Sequence, residues 1–184
     1  MNILISASPH LKGTSDTLAQ KTLAFCRNQN KNFIFWQLAK ERILPCLGCQ
    51  RCGHSDSLGQ CVLDSKDQGK HLLQQLIDAQ NVIFFAPIYF YHLPGLTKNF
   101  LDRAQSFYVL WEKQKLQARP GRLKAVLVAG RSKGQKLFAG AELSLKYFGQ
   151  IFNLEFSCLG LKGLNVPQEI TPSILEQIFA FILD

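Results

Sequence analysis

Apolar residues along this chain follow two alternating rhythms. Short, nearly continuous apolar runs read as strands at residues 2–7, 33–38, 81–86, 123–129 and 154–159. Asn81-Val82-Ile83-Phe84-Phe85-Ala86 is the clearest of these, apolar after its first residue and stopped by Pro87. The segments between them carry helical spacing. Leu18, Thr22 and Phe25 share one face of a first helix, and Leu72, Leu73, Leu76 and Ile77 mark a second over 67–79. Pro94 suits the first turn of a helix reaching about Phe107. Another helix is predicted over 137–148. Thr171-Pro172 caps a last one, whose Ile174, Leu175, Ile178, Phe179 and Ile182 make an apolar stripe. Residues 39–66 read as a long functional loop.

Five strand–helix units in succession predict a parallel sheet covered by helices on both faces. Right-handed crossovers leave few topologies, and the doubly wound order 2-1-3-4-5 fits best. Its ligand site lies at the carboxyl ends of the strands, where the loops after strands one, three and four converge. With no internal repeat and no long linker, residues 1–184 are expected to form one domain.

Composition narrows the class. Of 184 residues 47% are hydrophobic and 18% charged, the profile of a globular protein. The longest apolar stretch, Val82 to Tyr91, is broken by Pro87 and falls short of the roughly 18 residues of a membrane span. No basic region precedes the first short apolar run, so the cytoplasm is the expected compartment and no membrane partner is expected. The net charge of +8 comes from scattered lysines and arginines. Without a basic block or motif this argues against nucleic acid and for anionic small molecules such as nucleotide phosphates.

The first turn, Ser8-Pro9-His10-Leu11-Lys12-Gly13-Thr14-Ser15, joins a strand to a helix. Backbone amides at a helix start, hydroxyls at Ser8, Thr14 and Ser15, and a glycine at 13 suit a phosphate. A capped polar turn is the plainer reading. Asp16, in the first helical turn, is expected to compete with an anion. After the third strand, Pro87-Ile88-Tyr89-Phe90-Tyr91-His92 supplies flat apolar contacts and backbone donors of the kind an isoalloxazine ring needs, or else a hydrophobic dimer contact. His92 reads as a proton donor or a hydrogen-bonded spectator. Lys98 and Asp102 read as an i,i+4 pair, with Arg103 a surface charge.

Four of the six cysteines fall in the run Cys46-x2-Cys49-x2-Cys52-x8-Cys61. Three thiolates at such intervals wrap three corners of an iron–sulfur cube, and a fourth completes it. The last gap is longer than a compact cluster motif would use. A zinc site, or thiols that hold no metal, are the other readings. Cys26 and Cys158 are expected to be structural.

These segments, in this order, resemble the NADPH-dependent FMN reductase and iron–sulfur flavoprotein group of the flavodoxin-like superfamily. The matching pieces run from Ser8-Pro9 through Gly13-Thr14-Ser15, then Pro45-Cys46-x-Gly48-Cys49 through Cys61, and Pro87-Ile88-Tyr89-Phe90. Leu93-Pro94-Gly95-Leu96-x-Lys98-Asn99-Phe100-x-Asp102-Arg103 and Ala129-Gly130-Arg131-Ser132-Lys133-Gly134 complete them. The resemblance implies a flavodoxin-like three-layer α/β sandwich that binds FMN. Its FMN contacts would be Ser8, Pro9, His10, Gly13, Thr14, Ser15, Pro87, Ile88, Tyr89, Phe90, Ala129, Gly130 and Arg131. His10 stands where the family commonly has arginine. Implied too are NAD(P)H as reductant, a quinone, flavin or nitro compound as acceptor, and a dimer or tetramer. If Cys46, Cys49, Cys52 and Cys61 hold a 4Fe–4S cluster, a ferredoxin-type partner or an electron-carrier and redox-sensing role is the alternative.

Overall fold

The computed structural model describes residues 1–184. Strands β1 (Asn2–Ser6), β2 (Ile34–Gln37), β3 (Asn81–Pro87), β4 (Gly121–Ala129) and β5 (Leu154–Lys162) form one sheet. Its order is β2-β1-β3-β4-β5 and every neighbouring pair is parallel, as expected. The helices are α1 (Thr14–Asn28), α2 (Gly69–Leu76), α3 (Gly95–Arg103), α4 (Gln105–Glu112), α5 (Ala139–Ile151) and α6 (Pro172–Leu183).

Strand alternation divides the core into two layers. Ile3 and Ile5 of β1, Val82, Phe84 and Ala86 of β3, and Leu123, Ala125 and Leu127 of β4 pack against α2 to α5. The intervening Leu4, Ile83, Phe85, Val126 and Val128 face α1 and α6. This double burial explains the apolar runs. Lys124 interrupts the second set, and its Nζ donates to the Phe181 carbonyl of α6 at 2.9 Å.

One helix expected from Pro94 to about Phe107 is two. The backbone turns at Ala104 (φ −67°, ψ −5°), and α4 begins at Gln105. Phe100, Leu101, Ala104 and Phe107 are all buried, so the apolar spacing runs on through the break and conceals it. Register aligns Ser6 with Phe85 and Pro87 with Val128, so the strands end along one edge. There the loops after β1, β3 and β4 meet.

Candidate functional site: a groove at the strand ends and a cysteine-lined cavity

The turn after β1 is shaped from within. Ser8 Oγ donates to the His10 carbonyl at 2.9 Å and accepts from the His10 amide at 3.2 Å. Lys12, at φ +64°, takes the left-handed position, while Gly13 has an ordinary φ of −69° and caps α1 with no side-chain bond. A methyl on Gly13 would lie 2.8 Å from the His10 ring, so close approach rather than backbone freedom favours glycine there.

Asp16 leaves the amides at the start of α1 free, although it takes the Lys12 amide of the turn. It is fully buried and accepts from Ser6 Oγ (2.6 Å), the Lys12 amide (2.8 Å), Gln20 Nε2 (2.8 Å) and Gln37 Nε2 (2.9 Å). Burial alone would raise its pKa, but these four donors outweigh burial and hold it below 3.8. Its hydrogen bonds are all made within β1, the turn, α1 and β2, none across the groove.

The first helical turn, by contrast, is open. The amides of Thr14, Ser15 and Asp16 find no acceptor in the protein. Thr14 Oγ1 is buried and also unpartnered. Unsatisfied buried donors are rare in folded proteins, and a row of them at the positive end of a 15-residue helix suits an anionic group. The plainer reading, a turn capped by its own Thr or Ser hydroxyl, does not hold here.

Ser8, His10, Gly13, Thr14 and Ser15 line one side of a groove of about 400 Å³. Pro87, Ile88, Tyr89, Gly130 and Arg131 line the other. Phe90 and Ala129 border an adjoining hollow of about 270 Å³ that shares Ile88, Gly130 and Arg131. Pro9 is exposed and lines neither hollow. Sequence reasoning missed Val128, Leu164 and Asn165, which also line the groove. Leu164 and Asn165 come from the loop after β5, whose start pairs with the β4 loop through Leu164 N–H to Ala129 O at 3.1 Å. Asn165 Nδ2 donates to Gly130 O at 3.2 Å, and a Cβ on Gly130 would lie 2.1 Å from Asn165 Oδ1.

Tyr89 and His92 close a tight turn by exchanging backbone hydrogen bonds of 2.9 and 3.1 Å. The Tyr89 amide is therefore spent internally, whereas those of Phe90, Tyr91, Gly130 and Arg131 remain free. Phe90 (φ +48°) and Tyr91 (φ +63°) both carry left-handed backbone, a conformation that bulky side chains adopt at a cost. His92 is hydrogen-bonded through both ring nitrogens. Its Nδ1 accepts from the Leu93 amide at 2.8 Å, which leaves the proton on Nε2, 3.2 Å from Ser144 Oγ on α5. Arg131 Nη1 donates to the Tyr91 hydroxyl at 2.7 Å and has no carboxylate partner.

Cys46, Cys49, Cys52 and Cys61 line a second cavity, of about 470 Å³, walled on its far side by residues of α3 and α4. The long spacer between the last two cysteines is folded back on itself. Gly59 N–H donates to Cys52 O at 2.9 Å, and Ser57 Oγ donates to Arg51 O at 2.8 Å. Gly59, at φ +74°, leaves room for Leu110, whose side chain a Cβ there would meet at 2.6 Å.

The four cysteines share this one cavity, and no three His, Cys, Asp or Glu side chains are drawn together on a single point. Four thiols around one cavity are the donor set that an iron–sulfur cube takes, one at each corner.

Lys98 and Asp102 form the expected i,i+4 pair. Arg103 is no surface charge: it is 2% exposed, pairs with the fully buried Asp67 carboxylate, and lies 3.7 Å from Asp64. No sequence pattern linked residues this far apart.

Fold and groove together define a flavodoxin-like α/β protein. The chain belongs to the NADPH-dependent FMN reductase family, whose profile matches residues 1–151. It is similar to an iron–sulfur flavoprotein of Methanocaldococcus jannaschii, 28% identical over 102 residues. That match takes in 55% of this chain and 50% of the relative, so the chain's match spans about half the length of that curated relative. Among solved structures, an FMN-dependent NADH-azoreductase from Bacillus anthracis in complex with FMN superposes with a TM-score of 0.68 at 15% identity. It covers 98% of this chain and 97% of that one. A putative quinone reductase from Klebsiella pneumoniae gives a TM-score of 0.59 at 14% identity, covering 98% and 81%. At such identities the likeness is one of fold. No helix is long and apolar enough to cross a membrane.

Proposed function

We propose that this protein is an FMN-dependent oxidoreductase that takes electrons from NAD(P)H and passes them to a small-molecule acceptor such as a quinone, a flavin or a nitro compound. The observation that carries the reading is the open first turn of α1, with three free amides and the orphaned Thr14 hydroxyl at the floor of the groove. Together they match the phosphate of a mononucleotide. FMN held there would supply the redox chemistry, hydride acceptance and onward electron transfer.

The chain's own residues bind and orient. Thr14, Ser15 and the α1 amides would hold the phosphate, while Asp16 keeps the turn in shape from below. Ile88, Tyr89 and the Gly130 backbone would flank the flat ring. Free amides at Phe90, Tyr91, Gly130 and Arg131 would be available as donors to the ring's polar edge. No side chain has to act as a nucleophile.

A homo-oligomer is part of the proposal. Phe90 is fully exposed at the groove's rim, and Leu143 and Tyr147 are exposed on α5, the helix tied to the same turn through Ser144 and His92. A second copy covering these side chains would complete the rim. Light scattering of the FMN-bound protein tests this, and a monomer at high concentration would contradict it.

A second reading is favoured by the cysteine cavity: the protein is an iron–sulfur flavoprotein that exchanges electrons with a ferredoxin-type partner. Cys46, Cys49, Cys52 and Cys61 would hold the cluster, supplying single-electron transfer alongside FMN.

Anaerobic addition of NADPH to FMN-loaded protein decides between the two. Prompt bleaching of the flavin absorbance supports the reductase. A flavin that stays oxidised with NADPH yet is reduced by a chemically reduced ferredoxin supports the second reading.

A further inference from the structure

The cysteine cavity contains a cation that the sequence motif does not include. Arg103 lies in its wall together with all four clustered cysteines. It is the only buried arginine of the seven in the chain. Its Nη1 donates to Asp67 and, at 3.4 Å, to the Leu44 carbonyl, and its Nη2 lies 3.7 Å from Asp64. Its Nε–H is buried and meets no acceptor at all.

The two carboxylates of this group also hold the ends of the cysteine loop. Asp67 Oδ2 accepts from the Leu44 amide at 2.8 Å, two residues before Cys46. Asp64 Oδ2 accepts from the amide of Cys61 itself at 3.0 Å. Arg103 therefore ties both ends of the loop to α3, the helix that follows the aromatic turn of the flavin groove. Leaving a guanidinium N–H unpaired in a buried wall is costly. The cost is recovered if the group that fills the cavity brings an acceptor. Sulfur carried on a cluster with net negative charge is one.

We propose that Arg103 is the hydrogen-bond donor of the cysteine cavity, its Nε–H directed to a sulfur of the iron–sulfur group held by Cys46, Cys49, Cys52 and Cys61. Arg103 is a positioning residue in this account: it touches no substrate, stabilises the more negative, reduced form of the cluster, and keeps the loop closed. The inference rests on the iron–sulfur reading above.

The test is anaerobic reconstitution of the full chain with iron and sulfide, in wild type and Arg103→Lys. Lysine keeps a cation for Asp67 but has no Nε–H. Iron and sulfide content, the cluster midpoint potential followed by electron paramagnetic resonance, and FMN content as a folding control are read together. The expected result is a cluster in both proteins and equal FMN. The Arg103→Lys potential shifts lower and its iron is lost severalfold faster to a chelator, since hydrogen bonds to sulfur raise cluster potentials. Equal potentials and equal loss rates would overturn the role of Arg103 and leave the iron–sulfur reading intact. Folded, FMN-loaded wild type without iron would overturn both.

Should Arg103→Lys fail to retain FMN, the wild type alone decides by nitrogen-15 resonance of its arginine side chains. One Nε–H that shifts and exchanges slowly with solvent only in the cluster-loaded protein supports the proposal. Unchanged arginine Nε–H signals on loading overturn it.

Discussion

Asp16 Oδ1 accepts a 2.6 Å hydrogen bond from the Ser6 hydroxyl, at the point where β1 gives way to the turn that approaches the groove. Three further donors converge on the same carboxylate, so the shape of the turn depends on one buried charge. Asp16→Asn removes that charge and puts an amide group where only acceptors fit. The expected cost is about 1–3 kcal/mol of stability, together with weaker FMN binding. The pH dependence has a definite sign. With a folded pKa below 3.8, Asp16 contributes its extra stability above that value and loses it as pH falls through the lower folded value. Wild type and Asp16→Asn should therefore converge in stability in acid below 3.8, as urea melts over pH would read.

Thr14→Val keeps the shape and removes the orphaned hydroxyl. A hydrogen bond to a charged phosphate contributes roughly 1.5–3 kcal/mol. FMN affinity should fall about ten- to hundredfold, while the apoprotein is unchanged or slightly more stable because a buried unpaired polar atom is gone. Fluorescence titration and thermal melts of the apoprotein check the two halves separately.

Gly130→Ala drives a methyl into Asn165 Oδ1 and breaks the 3.2 Å contact that joins the loops after β4 and β5. FMN binding should weaken. Asn165→Ala added to the same chain removes the clash and should recover part of the loss, a coupling that a double-mutant cycle measures.

The six free thiols should divide by reactivity. Cys46 and Cys49 are exposed. Burial raises the pKa of Cys26, burial and the neighbouring cysteines raise that of Cys52, and burial with the Glu142 charge pushes Cys158 up to about 12. A raised pKa leaves less thiolate near neutral pH. In metal-free protein, iodoacetamide should label Cys46 and Cys49 first and leave Cys158 almost untouched, as peptide mass spectrometry would show.

The architecture was legible because its signal is local. Val82 to Ala86 had to be a strand buried on both faces, and alternating units permitted few sheet orders. The groove was half legible. Thr14, Ser15, Ile88 and Gly130 stand next to strand ends, where a doubly wound sheet puts its ligand. Asn165 was not, since its place depends on a contact with Gly130 35 residues away. Arg103 was hidden for the same reason: its burial is decided by Asp67, 36 residues earlier, while its neighbour Asp102 pairs locally with Lys98 as the spacing implied. The break at Ala104 leaves no trace in hydrophobic periodicity. The network under Asp16 was not legible, because Gln37, one of its donors, lies on β2, 21 residues away.

The central claim is that the loops after β1, β3 and β4 make one cradle for FMN, and titration of FMN into folded apoprotein tests it most directly. Quenching of flavin fluorescence that saturates at one FMN per chain, lost in part with Thr14→Val, is the predicted result. Folded protein that leaves flavin fluorescence untouched even at a large excess of protein would contradict it.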